Sequence, residues 1–425
     1  MSRANLLYAQ SGGVTAVINA TAASVIKAAR LHNDAIGAVL AARHGILGVL
    51  DEVLIDTATF GEDELRVLAH VPGGVFGSCR FDLDAPSANP AQYDRLFDVL
   101  AAHEVGYFLY NGGNGSMDTV AKLSQAARER GYPLVCIGVP KTVDNDLEGT
   151  DCSPGFGSAA KYVATAMLEA GLDLDAMASR VGRVFVMEVM GRNAGWLAAA
   201  TALAATDDDA PPHIILMPEV PFDEARFLDC VQRTVERLGY CAITVSEGIR
   251  RADGTLVMEQ SHDRKGHVQL GGAGQCIART IHARLGYKHH WAIPDYLQRA
   301  AGHLVSATDH AHARAVGRAA VAFAVDGRDG VMAAIRRRSD QPYAWTVEPV
   351  PVAGIANRER RVPGHFIRAD GLHVTAQARA YLQPLIEGEM VPPYRAGVPH
   401  YPRFALQPMA RRLPPPAQTM SGLVR

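Results

Sequence analysis

A chain of 425 residues with 48% hydrophobic and 20% charged residues has the composition of a soluble globular protein with room for two or three domains. A formal net charge of −2 leaves no basic footprint for nucleic acid, and no run of about 18 apolar residues suggests a membrane span. The six cysteines (79, 136, 152, 230, 241 and 276) form no C-x-x-C pair and the start "MSRANLLYAQSGG" is no leader, so a reducing, cytoplasmic setting is expected rather than a zinc or disulfide framework.

Short apolar runs then alternate with helical patterns. "NLLYA" predicts a strand, followed by the turn "SGG" and a helix over "TAVINATAASVIKAARL". "VGYFLY" predicts a strand, "NGGNGS" a turn, and "MDTVAKLSQAARERG" a helix stopped by its glycine. "PLVCIGV" predicts a strand that runs into "PKTVDND". "RVFVMEV" leads through "MGRNAG" into "WLAAATALAA", and the strands "HIILMPE" and "YCAITVSEG" flank the helix "EARFLDCVQRTVERL". Such alternation predicts βαβ units, hence an α/β fold with mainly parallel sheets. "TDDDAPP", residues 206–212, reads as a surface loop. After about residue 340 the chain becomes rich in Pro and Arg, and it reads as an appendage wrapping the core with a loose, solvated end near "RRLPPPAQTMSGLVR".

Open parallel sheets bind ligands beyond the carboxyl ends of their strands. Ser11, Gly12 and Gly13 stand there, as do Gly112–Ser116, then Lys141, Thr142, Asp144 and Asp146, then Met190, Gly191 and Arg192, and last Glu247. Each glycine turn opens a helix and so offers backbone N–H groups to an anion. Neither turn is G-x-x-x-x-G-K-[ST] or G-x-G-x-x-G, which excludes the P-loop and dinucleotide fingerprints. "SGG" alone is usually only a turn; "KTVDND" can be read as a capped turn, but three charged groups at one strand tip favour a functional site. Anion turns together with carboxylates and a lysine suit phosphoryl transfer, which needs positioning and charge neutralisation. The 16 histidines, including "KHHW" and "DHAHAR", suggest no metal site.

Taken in order, "SGG", "GSCRF", "GGNGSMDT", "PKTVDND", "MGRNAG", "SEG" and "YLQR" resemble the 6-phosphofructokinases over roughly residues 5 to 330, and the lysine of "PKTVDND" resembles their pyrophosphate-dependent branch. The resemblance implies two Rossmann-like three-layer α/β domains with the site in the cleft between them. The donor domain would span 1–155 with about 303–345, the sugar-phosphate domain 156–302, and a C-terminal extension 346–425. It implies that Asp144 is the base for the sugar 1-hydroxyl, with Asp146 as its partner near the metal. Lys141 would neutralise the phosphoryl group in transit, and Thr142 would contact that group or the sugar. Gly12, Gly13, Arg80, Gly113, Gly115 and Ser116 would bind the donor, and Asn114 would help hold Mg²⁺. Val143, Met190, Gly191, Arg192, Glu247, Tyr296, Leu297, Gln298 and Arg299 would bind the sugar phosphate. Arg183 would be lent across a subunit interface, with Lys288 or His290 standing in for a phosphate-binding arginine.

The resemblance further implies reversible phosphorylation of fructose 6-phosphate by pyrophosphate in glycolysis, by a cytoplasmic, non-allosteric homodimer or tetramer. Two alternatives stand: an ATP-dependent kinase on the same fold, and a catalytically silent regulatory paralogue. Gly115 sharpens the first, because many pyrophosphate enzymes carry an acid there. ATP would then have to be excluded by bulk around Cys79–Phe81 or by the C-terminal segment. Retention of Asp144, Asp146, Arg192 and Glu247 speaks against the second.

Overall fold

Leu6, Leu7, Tyr8 and Ala9 are all fully buried, so the strand they form is covered on both faces. That strand, β1 (Ala4–Gln10), lies at the centre of a seven-stranded sheet. The computed structural model describes residues 3–178, 182–258, 261–262, 268–269 and 271–416. After β1 come α1 (Ile18–Leu31), β2 (Ile36–Ala42), α2 (Gly45–Leu50), β3 (Leu54–Asp56), α3 (Glu62–Leu68), α4 (Pro90–Ala102), β4 (Val105–Gly112), α5 (Asn114–Arg130) and β5 (Val135–Pro140). The long α6 (Phe156–Ala176) leads to β6 (Arg183–Val189), α7 (Trp196–Ala200), β7 (Ile214–Leu216), α8 (Glu224–Leu238) and β8 (Tyr240–Ser246). A two-residue ribbon, β9 (Ser261–His262) and β10 (Val268–Gln269), precedes α9 (Ala273–Leu285), β11 (Lys288–Ala292) and α10 (Tyr296–Ala300). The chain then returns through α11 (Ala307–Val325) to β12 (Val331–Asp340), β13 (Tyr343–Pro351) and α12 (Ala376–Leu382).

The large sheet runs β13-β12-β5-β4-β1-β2-β3, parallel except for its two edge strands, and the small sheet runs β11-β6-β8-β7, parallel throughout. Side-chain alternation divides the cores. Leu6 and Tyr8 pack into the cluster that holds α1, α6 and α11, while Leu7 and Ala9 pack into the one beneath α2, α4 and α5. In β6, Val184 and Val186 face α8 and α9, and Met187 and Val189 face α6 and Trp196. Strand order reverses between β1 and β4 in the large sheet, and between β6 and β8 in the small one. Both reversals leave a crevice beyond the carboxyl ends of those strands.

Among the described residues no helix is long and apolar enough to cross a membrane, and all six cysteines are free thiols.

The start of the stretch expected to be loose, residues 411–413, is tied to the core. Met409 N–H donates to Leu54 O at 2.8 Å, and Arg412 and Leu413 N–H donate to the Glu52 carboxylate at 2.6 and 3.2 Å. Glu52 is buried, lies at φ +53° and also meets His103 at 2.8 Å and Arg95 at 3.6 Å. Proline and arginine content reads as solvation in one dimension; here the backbone of the same stretch satisfies a buried acid. The far end, 417–425, lies outside the described residues. Glu52→Ala should lower unfolding free energy by about 3 kcal/mol, since it strands the buried donors around it. Urea titration measures that loss, and limited proteolysis should cut the variant near residues 408–416 well before the wild type.

Candidate active site

The turn after β1 is shaped by glycine. Gly12 sits at φ +73°, its N–H donates to Cys79 O at 2.8 Å, and Ser78 Oγ donates to its carbonyl at 2.7 Å. A Cβ on Gly12 would stand 3.3 Å from Lys141 Nζ. One on Gly13 would stand 2.6 Å from Arg299 Nη1 and 3.8 Å from Arg80 Nη2. Three cations therefore converge on a backbone turn with no side chain of its own. Facing it, α5 begins at Asn114 with no side-chain cap and no acid in its first turn, so its positive end is open to an anion. Gly113 is its N-cap, whereas Ser116 is buried and turned under Gly112 rather than toward the cradle. Gly115 is exposed, yet the room beside it is bordered: a Cβ there would stand 2.9 Å from Asp82 Oδ1.

Lys141 continues the β4–β5 pairing by one residue, its N–H donating to Gly112 O at 3.1 Å. Its side chain is buried, and that burial lowers its pKa to about 8 against the pull of Asp144. Thr142 Oγ1 accepts the Asp144 N–H at 3.1 Å, and Val143 is buried behind the loop. Asn145, fully buried at φ +54°, turns the chain and accepts Ser153 N–H through Oδ1 at 2.9 Å. Asp146 Oδ2 accepts from Asn114 Nδ2 at 3.2 Å, which leaves Asn114 Oδ1 buried without a partner. Burial and then Glu247 push Asp144 up to about 6; burial and then Asp144 push Asp146 up to about 7. Burial thus favours the protonated form of both carboxyls in the ligand-free chain.

The small sheet supplies the opposite wall. Gly191, at φ +138°, donates its N–H to Glu247 Oε1 at 3.3 Å and accepts from Ser246 Oγ at 2.6 Å. Burial raises the Glu247 carboxyl. Met190 N–H donates to Gln298 Oε1 at 3.2 Å, and Arg192 is exposed, its charge acting on Asp144. The Arg299 guanidinium stacks on Tyr296 at 4.1 Å, and Tyr296 and Leu297 are both mostly exposed.

One candidate stands apart: Arg183 opens β6 whereas Met190 follows its end, a separation of about 23 Å at the usual strand rise. Lys288 lies opposite Arg183 in the strand register, and His290 is exposed on the same strand. Three features escaped sequence reasoning: the reach of Arg299 into the Gly12–Gly13 turn, Asp82 beside Gly115, and a backbone bond from Arg360 N–H to Asp146 O at 2.8 Å. None leaves a periodic or motif signal, because each is a contact between distant segments.

A family model described as Phosphofructokinase matches residues 5–324. The chain is 52% identical over 415 residues to a pyrophosphate--fructose 6-phosphate 1-phosphotransferase of Halomonas elongata, covering 97% of this chain and 99% of that protein. It is also 52% identical over 417 residues to the Xanthomonas campestris protein of the same name, covering 97% and 99%. Among solved structures it superposes on a pyrophosphate-dependent phosphofructokinase from Marinobacter aquaeolei with a TM-score of 0.89 at 46% identity, over 98% of this chain and 100% of that one.

Lys141 generates a pH prediction. With its pKa lowered to about 8, the buried ammonium is present below that pH and is lost above it. Affinity for inorganic pyrophosphate should therefore fall between pH 7 and pH 9 beyond the ligand's own titration. Calorimetry on the wild type and on Lys141→Met separates the two, since only the wild type should carry the extra drop.

Proposed function

The chain belongs to the phosphofructokinase family, and we propose that it catalyses reversible phosphoryl transfer between pyrophosphate and the 1-hydroxyl of fructose 6-phosphate, a glycolytic step. The observation that carries this reading is Lys141: a buried ammonium set between an anion-binding glycine turn and a carboxyl pair.

The donor docks on Gly12, Gly13 and the amino end of α5, in reach of Lys141, Arg80 and Arg299. We assign it to the large sheet, residues 1–155 with about 303–345, and the sugar phosphate to 156–302. Asp144 takes the proton of the sugar 1-hydroxyl; the freed oxygen attacks the near phosphorus, the bridging P–O bond breaks, and phosphate leaves. The raised pKa of Asp144 suits a base that works near neutral pH. Lys141 offsets the charge on the group in transit, and the Thr142 hydroxyl, which accepts from Asp144 N–H, keeps its own proton to donate to that group. Reversal returns the proton from Asp144. Met190, Gly191, Arg192 and Glu247 hold the sugar, with Arg299 spanning sugar and donor. Beside Gly115, the Asp82 carboxylate opposes a third phosphate by like charge and leaves pyrophosphate unhindered.

Mg²⁺ fits the residues present. Asn114 Oδ1 is a buried oxygen without a hydrogen-bond partner, and Asp146 is its neighbour. Among the described residues no cluster of three His, Cys, Asp or Glu side chains forms a protein cage. That matches an ion held by one or two protein oxygens with phosphates and water. When bound, Mg²⁺ neutralises charge on the phosphates.

A coupled assay with fructose 6-phosphate and Mg²⁺, run with pyrophosphate and then with ATP, tests the reading; a higher kcat/KM with ATP overturns the donor assignment. In the same assay Asp144→Ser should lower kcat by about 10²–10⁴-fold and change KM for the sugar little, as expected for a general base. Near-normal kcat removes Asp144 from the role.

We place this chemistry in a cytoplasmic homodimer, or a tetramer built from it, without an effector domain. Leu168 and Leu172 on α6, Trp291 on β11, and Tyr296 and Leu297 on α10 are large apolar side chains left exposed, and α10 packs against α6. Arg183, far from the site of its own chain, would serve the neighbour's. Mixing an inactive Asp144 variant with an inactive Arg183 variant should restore about a quarter of full activity where subunits exchange freely, by the statistics of a two-site dimer. No recovery despite demonstrated exchange places the whole site within one chain.

A further inference from the structure

The family model ends at residue 324, but the chain beyond it returns to the site. Residues 357–362 run along the catalytic loop. Leu147 and Glu359 form an antiparallel bridge, and Arg360 N–H donates to Asp146 O at 2.8 Å. The same segment holds the loop after β6. Asn193 Nδ2 donates to Glu359 Oε1 at 2.6 Å, and Trp196 Nε1 donates to Arg360 O at 3.0 Å. Glu219 Oε1 accepts both Gly195 N–H and Val362 N–H at 2.9 Å. A third link reaches α5, where Asn357 Nδ2 donates to Asp118 Oδ1 at 3.1 Å.

This segment is therefore bonded to three parts of the site that arrive from different places in the chain. Two belong to the large sheet and one to the small sheet. Its own position is fixed by Arg360, whose guanidinium lies 4.3 Å from the Trp196 ring centre and donates to Tyr381 Oη at 2.7 Å. Glu359 differs from its neighbours in this: its backbone pairs with the loop that carries Asp144 and Asp146, while its side chain grips the residue next to Arg192.

We propose that residues 357–362 form a strap across the active site, and that Glu359 is a positioning residue that fixes the sugar-binding loop, Met190–Asn193, against the catalytic loop, Asp144–Leu147. The inference rests on the fructose 6-phosphate reading above and adds a residue that lies outside the matched family region. A carboxylate suits the role, since a charged acceptor holds an amide more firmly than a neutral one.

Glu359 is exposed and its bridge to Leu147 is made by backbone, so replacing its side chain should leave the fold intact. Glu359→Ala should raise KM for fructose 6-phosphate by about 10-fold, the scale of one charged hydrogen bond, and leave KM for pyrophosphate within about 2-fold. Glu359→Gln keeps an acceptor oxygen for Asn193 and should recover most of the sugar affinity. Adding Asn193→Ala to Glu359→Ala should cause little further loss, because one bond links the two side chains. Hydrogen exchange supplies a readout without substrate: amides of 190–195 should exchange faster in Glu359→Ala, with melting temperature unchanged. An unchanged sugar KM together with unchanged exchange overturns the strap, as does equal loss in the Ala and Gln variants. A wild type that neither binds nor turns over fructose 6-phosphate overturns the functional reading instead, and the exchange experiment still decides the strap.

Discussion

A lysine ammonium taken out of water is the constraint around which the site is arranged. Lys141 is 4% exposed, at the tip of a central strand, and an isolated charge there would be several kcal/mol unfavourable. Asp144 and Asp146 offset part of that penalty, but Arg299 and Arg80 add to it. The local field is thus left short of negative charge on the side that faces Gly12 and Gly13. A phosphate anion supplies what is missing, and glycine keeps that side open. The cations that disfavour one another in the free protein are relieved by an anionic ligand, which is how such a site gains affinity for an anion.

The fold makes this arrangement possible by bringing two sheets together at their carboxyl ends. Neither sheet carries the site alone. The large sheet supplies Lys141, the two aspartates and the glycine turns; the small sheet supplies Gly191, Arg192 and Glu247. Beneath the site a shared apolar cluster joins the two, and polar links cross it: Arg299 reaches from α10 to Gly13, and Glu359 with Arg360 links Asp146 to Asn193. Because α6 and α11 are the connections between the sheets, the chain crosses twice, and each sheet is built from non-contiguous sequence or inserted within the other.

That history explains what could be read from sequence. The strand over 183–189 and the helix over 224–238 match their apolar patterns residue for residue, since both are set by burial of one or two faces. The helix read from residue 117 starts instead at Asn114, because a glycine N-cap gives no side-chain signal. The segment "WLAAATALAA" divides into α7 and a 3₁₀ turn over Thr201–Ala204. Gly12 and Gly13, Lys141 to Asp146, Gly191 and Glu247 lie together because each follows the end of a strand. Arg183 does not, and the strand's own length makes that unavoidable. Asp82, Glu359 and the anchoring of Arg412 on Glu52 were not legible. Each depends on side chains that meet across 30 to 360 positions, where neither period nor spacing carries information.

Charge coupling within the site also orders its chemistry. Lys141 and Asp144 act on one another's proton affinity, so any ligand that favours the ammonium also favours the carboxylate. A phosphate anion bound there offsets the two arginines that lower the Lys141 pKa and so favours the ammonium. A firmly charged lysine in turn draws Asp144 toward its ionised, proton-accepting form. On the proposed assignment of Asp144 as the base, donor binding therefore favours its proton-accepting form. Under that proposal the phosphate donor and the proton acceptor are linked through Lys141 and Asp144, two side chains at one strand tip.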